Sequence, residues 1–520
     1  MAGTVTSNLT DISMCESTDG WVNLGGGTHG INDPTVFDAK EGTYCLQDYK
    51  ASASNRGAEY DLGGNQDFSD VIVIFWFAFS KVYHATNPMR IRITDGDGDY
   101  AEWNIFTKST LPHTGWIPWA LKPSVTPDFE SGTFDITIAR KVGWIVDGVL
   151  AKTYIYWDAV RYGYGLNIKG GTSGDPATFE DFITAESTYA YGILEKYNGV
   201  YFAQGQFNIG SLTVDESTYF KDNNKVLIFK DIKGTPSGFY EIKGQNATSG
   251  SGETKIFLGE KSGTVGIAGC FIRASPEMKF KFTMVDTYIT EFGFYGCTFV
   301  NADTIQGQAY STLKEFLSST FITCAEMLPD TGIVDKCYYI SAIDRAVRIT
   351  DLTNHHITNS NFISCGHAIH VNVAGNVDFD ALMFSGNTKD VEFSVAGTLN
   401  ISKLNGSNPS TEDSPLGDVN FLLSVTLKVI VKDEGGSPIE NAQVGIFRQS
   451  NMEQLMNEDT LATGIAEQTF DYGAGPDVDV YLRIRKSSTG TRYYPISTIG
   501  TITTDGFTYY AVLIEDEIAI

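Results

Sequence analysis

Short stretches in which apolar and polar residues alternate run along the whole chain. Met89-Arg90-Ile91-Arg92-Ile93-Thr94, Phe134–Arg140, Val425–Val431 and Val478–Arg485 each put every second side chain on an apolar face. A period of two marks a strand with one wet and one buried side. Val71–Phe79 is instead a continuous apolar run, as expected of a strand covered on both sides. Gly, Asn, Asp and Ser separate the runs, as in the turn Asp95-Gly96-Asp97-Gly98-Asp99 before Tyr100–Ile105. Helical periodicity is confined to Thr178–Leu194 and Met452–Asn457. The pattern therefore predicts an all-β chain with two short helices at most.

Between residues 166 and 412 the pattern repeats. Gly296-Cys297-Thr298-Phe299-Val300-Asn301 returns in altered form as Ser319–Ala325, as Ser360–Gly366 and, more faintly, as Leu382–Asn387. Phe299, Phe321, Phe362 and Phe384 are 22, 41 and 22 residues apart, so a step of 20–22 fits if the 41 spans two turns. Cys270, Cys297 and Cys324 are 27 apart, which predicts longer turns earlier on. A unit of this size cannot bury its apolar side alone; stacking the next unit on it builds a continuous column. Phe and Cys are expected inside and Asn and Ser at the corners. The polar stretch Asn405–Pro415 breaks the pattern and reads as a linker or loop.

Three sets of residues carry resemblances. Glu41–Leu46 as an early strand, Gly115-Trp116-Ile117-Pro118-Trp119, and the closing Tyr154-Ile155…Asp158…Val160-Arg161-Tyr162-Gly163 resemble the jelly-roll of carbohydrate-binding modules and galactose-binding-like domains. The repeats resemble the right-handed β-helix of pectate-lyase-like proteins and phage tailspikes. Val431…Asp433…Gly436…Pro438-Ile439…Asn441-Ala442…Val444 resembles the signature of carboxypeptidase-regulatory-like, Ig-like sandwiches. The expected organisation is a jelly-roll over 1–165, a right-handed parallel β-helix over 166–412 and an Ig-like β-sandwich over 413–520, in tandem.

The formal charge of −26, from 37 basic and 63 acidic residues, argues against nucleic acid and anionic membrane surfaces, since no Lys/Arg cluster offers a cationic face. No apolar stretch is long enough to insert in a bilayer as a helix. Seven Cys, an odd number without a C-x-x-C pair, exclude a fully paired disulfide framework and read as buried thiols. Met1–Ser7 shows neither the basic nor the apolar part of a signal peptide, so synthesis in a host cytoplasm is expected.

Candidate chemistry is sparse. Asp95, Asp97 and Asp99 could offer hard oxygen ligands to Ca²⁺, although Tyr100 and Phe106 stand where an EF-hand loop needs Gly and Glu. A solvated hairpin turn is the plainer alternative. Trp103, Trp116 and Trp119 are the candidate sugar-stacking residues; Trp76 and Trp157 belong to the same aromatic-rich region. Gly366-His367-Ala368, near His355, His356 and His370, lacks the second Gly of the polygalacturonase-like segment, and Asp344, Asp351, Asp378 and Asp380 form no family-like set. No catalytic residue is assigned, and no cofactor beyond Ca²⁺ is expected. With tailspike-like architecture and no export signal, the expectation is a non-enzymatic virion structural protein. It would be a capsid decoration, turret, head fibre or tail-associated component at the virion surface. Its partners would be other virion proteins, further copies of itself (a trimer or pentamer) and host glycans. The alternatives are a tailspike-type polysaccharide depolymerase and a cell-surface adhesin.

Overall fold

In the computed structural model the described residues are 3–32, 34–35, 37–49, 54–80, 87–106, 115–149, 154–211, 216–230, 240–245, 252–261, 269–276, 279–284, 289–306, 313–328, 332–353, 356–472, 477–487, 490–503 and 505–516. They are nearly all strand, arranged in several sheets, with one α-helix, Phe179–Tyr189, among them. No helix among them is long and apolar enough to cross a membrane. The contacts divide the chain into two compact units. One holds residues 1–348 with short pieces of 354–366, the other the rest through Ile520.

The first unit begins with two antiparallel sheets on one core. One runs in the order Phe129–Ser131, Tyr100–Phe106, Met89–Asp95, Ala139–Val149, Ser54–Gln66, Trp21–Asn23. The other includes Leu46–Tyr49, Ile72–Phe79, Ile117–Leu121 and Ile155–Lys169. Phe75, Phe77 and Trp157 from the latter meet Ile91, Ile93 and Trp144 from the former, and Trp144 packs edge-on to Trp157 at 5.1 Å. Ile72–Phe79 is buried at every position because its other face packs Trp76 against Ala159 and Ala190. That is the physical reason it shows no alternation. Two expected strands differ. Ile136–Ile138 is a 3-10 turn before the strand Ala139–Val149, with Asp135 capping it through Thr137 N–H. Glu41–Cys45 is loop, and the strand starts at Leu46.

Ile155–Lys169 does not stop where the sandwich ends. Its first half pairs antiparallel with Leu46–Tyr49 and Ile72–Phe79, and Gly165–Ile168 pairs parallel with Gln206–Ile209. From there strands fall into three parallel sheets visited in rotation: Gln206–Ile209 and Tyr240–Gly244 in one, Val200–Ala203 and Val226–Phe229 in a second, Thr218–Asp222 and Thr254–Leu258 in a third. The helix keeps the first repeat from ending in water. Its Thr178–Asp181 capping box starts it, and Phe179 and Phe182 pack on Phe220 and Phe207.

The aromatic column runs as the spacing predicts. Phe299 stacks on Phe321 at 5.4 Å, and Tyr339 occupies the turn missing from the Phe series, 4.9 Å from Phe321. The Cys spacing holds for one step: Phe271 aligns with Thr298, so Cys297 lies next above Cys270, 27 residues on. The second step misleads. The register aligns Thr298 with Thr320, which puts Ser319, not Cys324, next above Cys297. Cys324 sits past the strand, in a different column. Each short strand is flanked by two left-handed corners, Gly296/Asn301, Ser318/Thr323 and Lys336/Ser341. The N–H groups of Asn301, Ser318 and Thr323 bond carbonyls of the next turn, at Ile322, Asp335 and Ile340. Those bonds offset a left-handed cost of about 1–2 kcal/mol per residue.

In the second unit Phe362 stacks on Phe384 at 5.2 Å, and Gly375–Asp380, Gly397–Leu404 and Gly417–Leu423 lie in parallel register. The 17-residue strand Gly417–Asp433 then continues, pairing Ser424–Ile430 with Ile465–Asp471 and Leu427–Asp433 with Phe507–Leu513. A four-stranded antiparallel sheet shares its core in the order Gln454–Asp459, Gln443–Arg448, Val478–Lys486, Tyr493–Ile502. Gln454–Asp459 is a strand where Met452–Asn457 reads as helical, because Leu455 and Met456 are needed in that core. The stretch Asn405–Pro415 is not slack. Ser407 and Asn408 accept from Leu382 N and Phe384 N, and Asp390 accepts from Ser410 N and Thr411 N.

Candidate functional site

The three candidate Trp residues do not share a face. Trp103 is 1% exposed in the sandwich core, its Nε1 donating to Val125 O at 2.7 Å, so it offers no ring to a ligand. Trp119, on the opposite sheet, is half-buried against that core. Trp116 packs on Phe37 at 5.5 Å and donates to Asp38 O. Trp76 and Trp157 are core residues.

The Asp95–Asp99 turn holds itself together. Asp95 Oδ1 accepts from the N–H groups of Asp97 and Asp99, its Oδ2 from Asp135 N, and Asp99 Oδ2 from Thr133 N. These oxygens cap a hairpin as an Asx turn does. Among the described residues no three His, Cys, Asp or Glu side chains gather as a metal site requires.

Sequence reasoning missed a buried charged knot on the strand shared by sandwich and repeats. Asp158 accepts from Lys40 N, Glu41 N and Ala159 N at 2.7–3.0 Å. Burial pushes its carboxyl up to about 7, against the pull of those three donors. Arg161, 3% exposed, pairs with Asp11 at 2.7 Å and with Glu41, and donates to Ala190 O at the end of the helix. Burial opposes its charge, but the two carboxylates raise its pKa on balance. One strand thus clamps the N-terminal strand, a loop and the helix. The available signal was two charges inside an apolar run, Ile155-Tyr156-Trp157-Asp158-Ala159-Val160-Arg161.

The His segment does gather acids. His367 Nε2 lies 3.5 Å from Asp413 and its Nδ1 lies 3.8 Å from Glu392; His370 Nε2 is 2.7 Å from Ser394 Oγ. Parallel register aligns His370 with Glu392 and Glu392 with Asp413, a juxtaposition across 43 residues that local spacing cannot show. His355 lies outside the described residues. Asp380 accepts from Asn405, and Asp378 lies on the same strand as Asp380, in a different sheet from His367 and His370.

No family model and no curated protein matches the chain. Among solved structures, it is similar to the family 11 carbohydrate-binding module from Clostridium thermocellum in complex with a mixed-linked tetrasaccharide, at 11% identity, over 31% of this chain and 96% of that one, with a TM-score of 0.22. An exo-beta-agarase matches at 14% identity over 30% of this chain, which spans about a quarter (24%) of the agarase, at 0.23. The catalytic domain of GH87 alpha-1,3-glucanase matches at 11% identity over 84% of this chain and 90% of that one, at 0.21. The neighbours are carbohydrate-binding modules and glycoside hydrolases. At such TM-scores, function has to be read from this chain's own residues.

Proposed function

We propose that the protein is a non-catalytic structural component of a viral particle. It would be built from a jelly-roll (1–165), a right-handed parallel β-helix (166–412) and an Ig-like sandwich (413–520). The observation that carries this reading is strand continuity. Ile155–Lys169 and Gly417–Asp433 each belong to a sandwich and to the parallel repeats at once, so neither junction has a hinge. Its conspicuous ionisable groups, Asp95, Asp158 and Arg161, hold backbone in place rather than lining a cleft. Junctions of this kind suit symmetric assembly as a trimer or pentamer at the virion surface, where repetition strengthens weak contacts with virion proteins and host glycans. Immunogold labelling of purified particles tests the reading: label at regular positions is expected, and label confined to cell envelopes or the soluble fraction overturns it.

The His367–Glu392–Asp413 cluster supports a second reading, a tailspike-type depolymerase in which the carboxylates share acid–base work on a glycan. Reducing-sugar release from capsule or lipopolysaccharide, lost in Glu392→Gln and Asp413→Asn, would establish it in place of the first. No release from any host glycan would dismiss it.

A further inference from the structure

The four-stranded sheet of the second unit has an outward face that its core does not use. Val444, Ile446, Val480, Leu482 and Ile484 point inward, so Gln443, Gly445 and Phe447 on one strand and Tyr481, Arg483 and Arg485 on the next point out. Register puts Gln443 beside Arg485 and Gly445 beside Arg483; on the other side Gly445 faces Asn457 and Phe447 faces Gln454. Gly445 lets the Phe447 ring lie across the sheet, since a Cβ there would sit 2.8 Å from that ring. A groove of about 380 Å³ results, within the range of small-ligand sites.

Its groups are arranged. Arg485 Nε donates to Gln443 Oε1 at 2.7 Å, and Gln443 Nε2 donates to Asn457 Oδ1 at 3.2 Å, a relay that fixes one edge of the guanidinium and leaves the other to solvent. Arg483 lies 5.6 Å from the Phe447 centroid. Among the described residues neither guanidinium has a carboxylate partner, although acids outnumber bases 63 to 37 in the chain. Two uncompensated Arg side by side favour a planar oxyanion, which they can bind in bidentate fashion. Three carboxamides that both donate and accept match hydroxyl groups, and a half-buried Phe ring offers a face to sugar C–H groups.

We propose that this groove binds a carboxylated saccharide, the uronate unit of an acidic polysaccharide, with Arg483 and Arg485 on the carboxylate and Gln443, Gln454, Asn457 and Phe447 on the ring. This deepens the glycan-contact part of the proposed function but is independent of particle membership, so particle labelling and sugar binding can fail separately. The test is calorimetric titration of the full chain with oligogalacturonate, its methyl ester and poly-glutamate. Binding of oligogalacturonate that weakens with salt is expected. It should be weakened about tenfold or more in Arg485→Gln and in Arg483→Gln, with unchanged Tm, and the ester should bind far less. Absence of binding, equal binding of the ester, or affinity unchanged in both variants overturns the proposal. Equal binding of poly-glutamate overturns the saccharide and points to an acidic protein surface.

Discussion

Lys336 stands at a corner with φ 55°, and its side chain is 67% exposed. A glycine there escapes the left-handed penalty but adds freedom to the unfolded chain, so the two effects partly cancel. Lys336→Gly is expected to stabilise by a few tenths to about 1 kcal/mol, read as a higher Tm; a lower Tm would mean that the Lys side chain matters more than its backbone. Glu186 shows the opposite case, a charge the fold has enclosed. Its carboxylate accepts from Gly192, Ile193 and Leu194 N–H at 2.8–2.9 Å, yet burial pushes it up to about 7. A carboxyl raised in the folded state contributes stability below its ordinary pKa and loses it as pH rises through about 7. Glu186→Gln replaces one acceptor with a donor and should cost about 1–3 kcal/mol. The Tm gap between wild type and variant should narrow from pH 4 to pH 8; a gap independent of pH would show that Glu186 does not titrate there.

At the scale of elements, most alternating strands and the start of the helix were legible because their periods are local; Phe134–Arg140 alternates yet holds a 3-10 turn, and the helix ends at Tyr189, with Leu194 opening a strand. Val478–Lys486 alternates buried and exposed at every position, and Thr178 caps its helix as its type suggests. Met452–Asn457 failed for a physical reason: a short apolar pair can satisfy either period, and the sandwich core claimed it for a strand. Asn405–Pro415 failed because polar residues read as solvent-loving until their partners are known. Asp390, Leu382 and Phe384 supply those partners. Limited proteolysis of the native protein should therefore leave 405–415 intact, while Asp390→Ala should open it to cleavage. Cleavage there in the wild type would restore the linker.

For the molecule as a whole, all seven Cys are buried and none is in a disulfide. Burial pushes Cys324 and Cys337 up to about 12, so neither exists as thiolate at neutral pH. Ellman's reagent should titrate none of the seven in the native protein and all seven after unfolding, and reductant should leave the Tm unchanged. Reaction of native thiols would place a Cys at the surface.

The hydrophobic pattern alone determined that the chain is β-rich, that its middle repeats at about 22 residues and that Phe lines the repeat, because periodicity is a property of neighbours in sequence. The strands continuing through both junctions, the Asp158–Arg161 knot, the His367 cluster and the two outward Arg of the last sheet were decided by folding. Each depends on register between strands far apart in the chain. A shift of one residue turns every side chain to the other face, and no local pattern records which register wins.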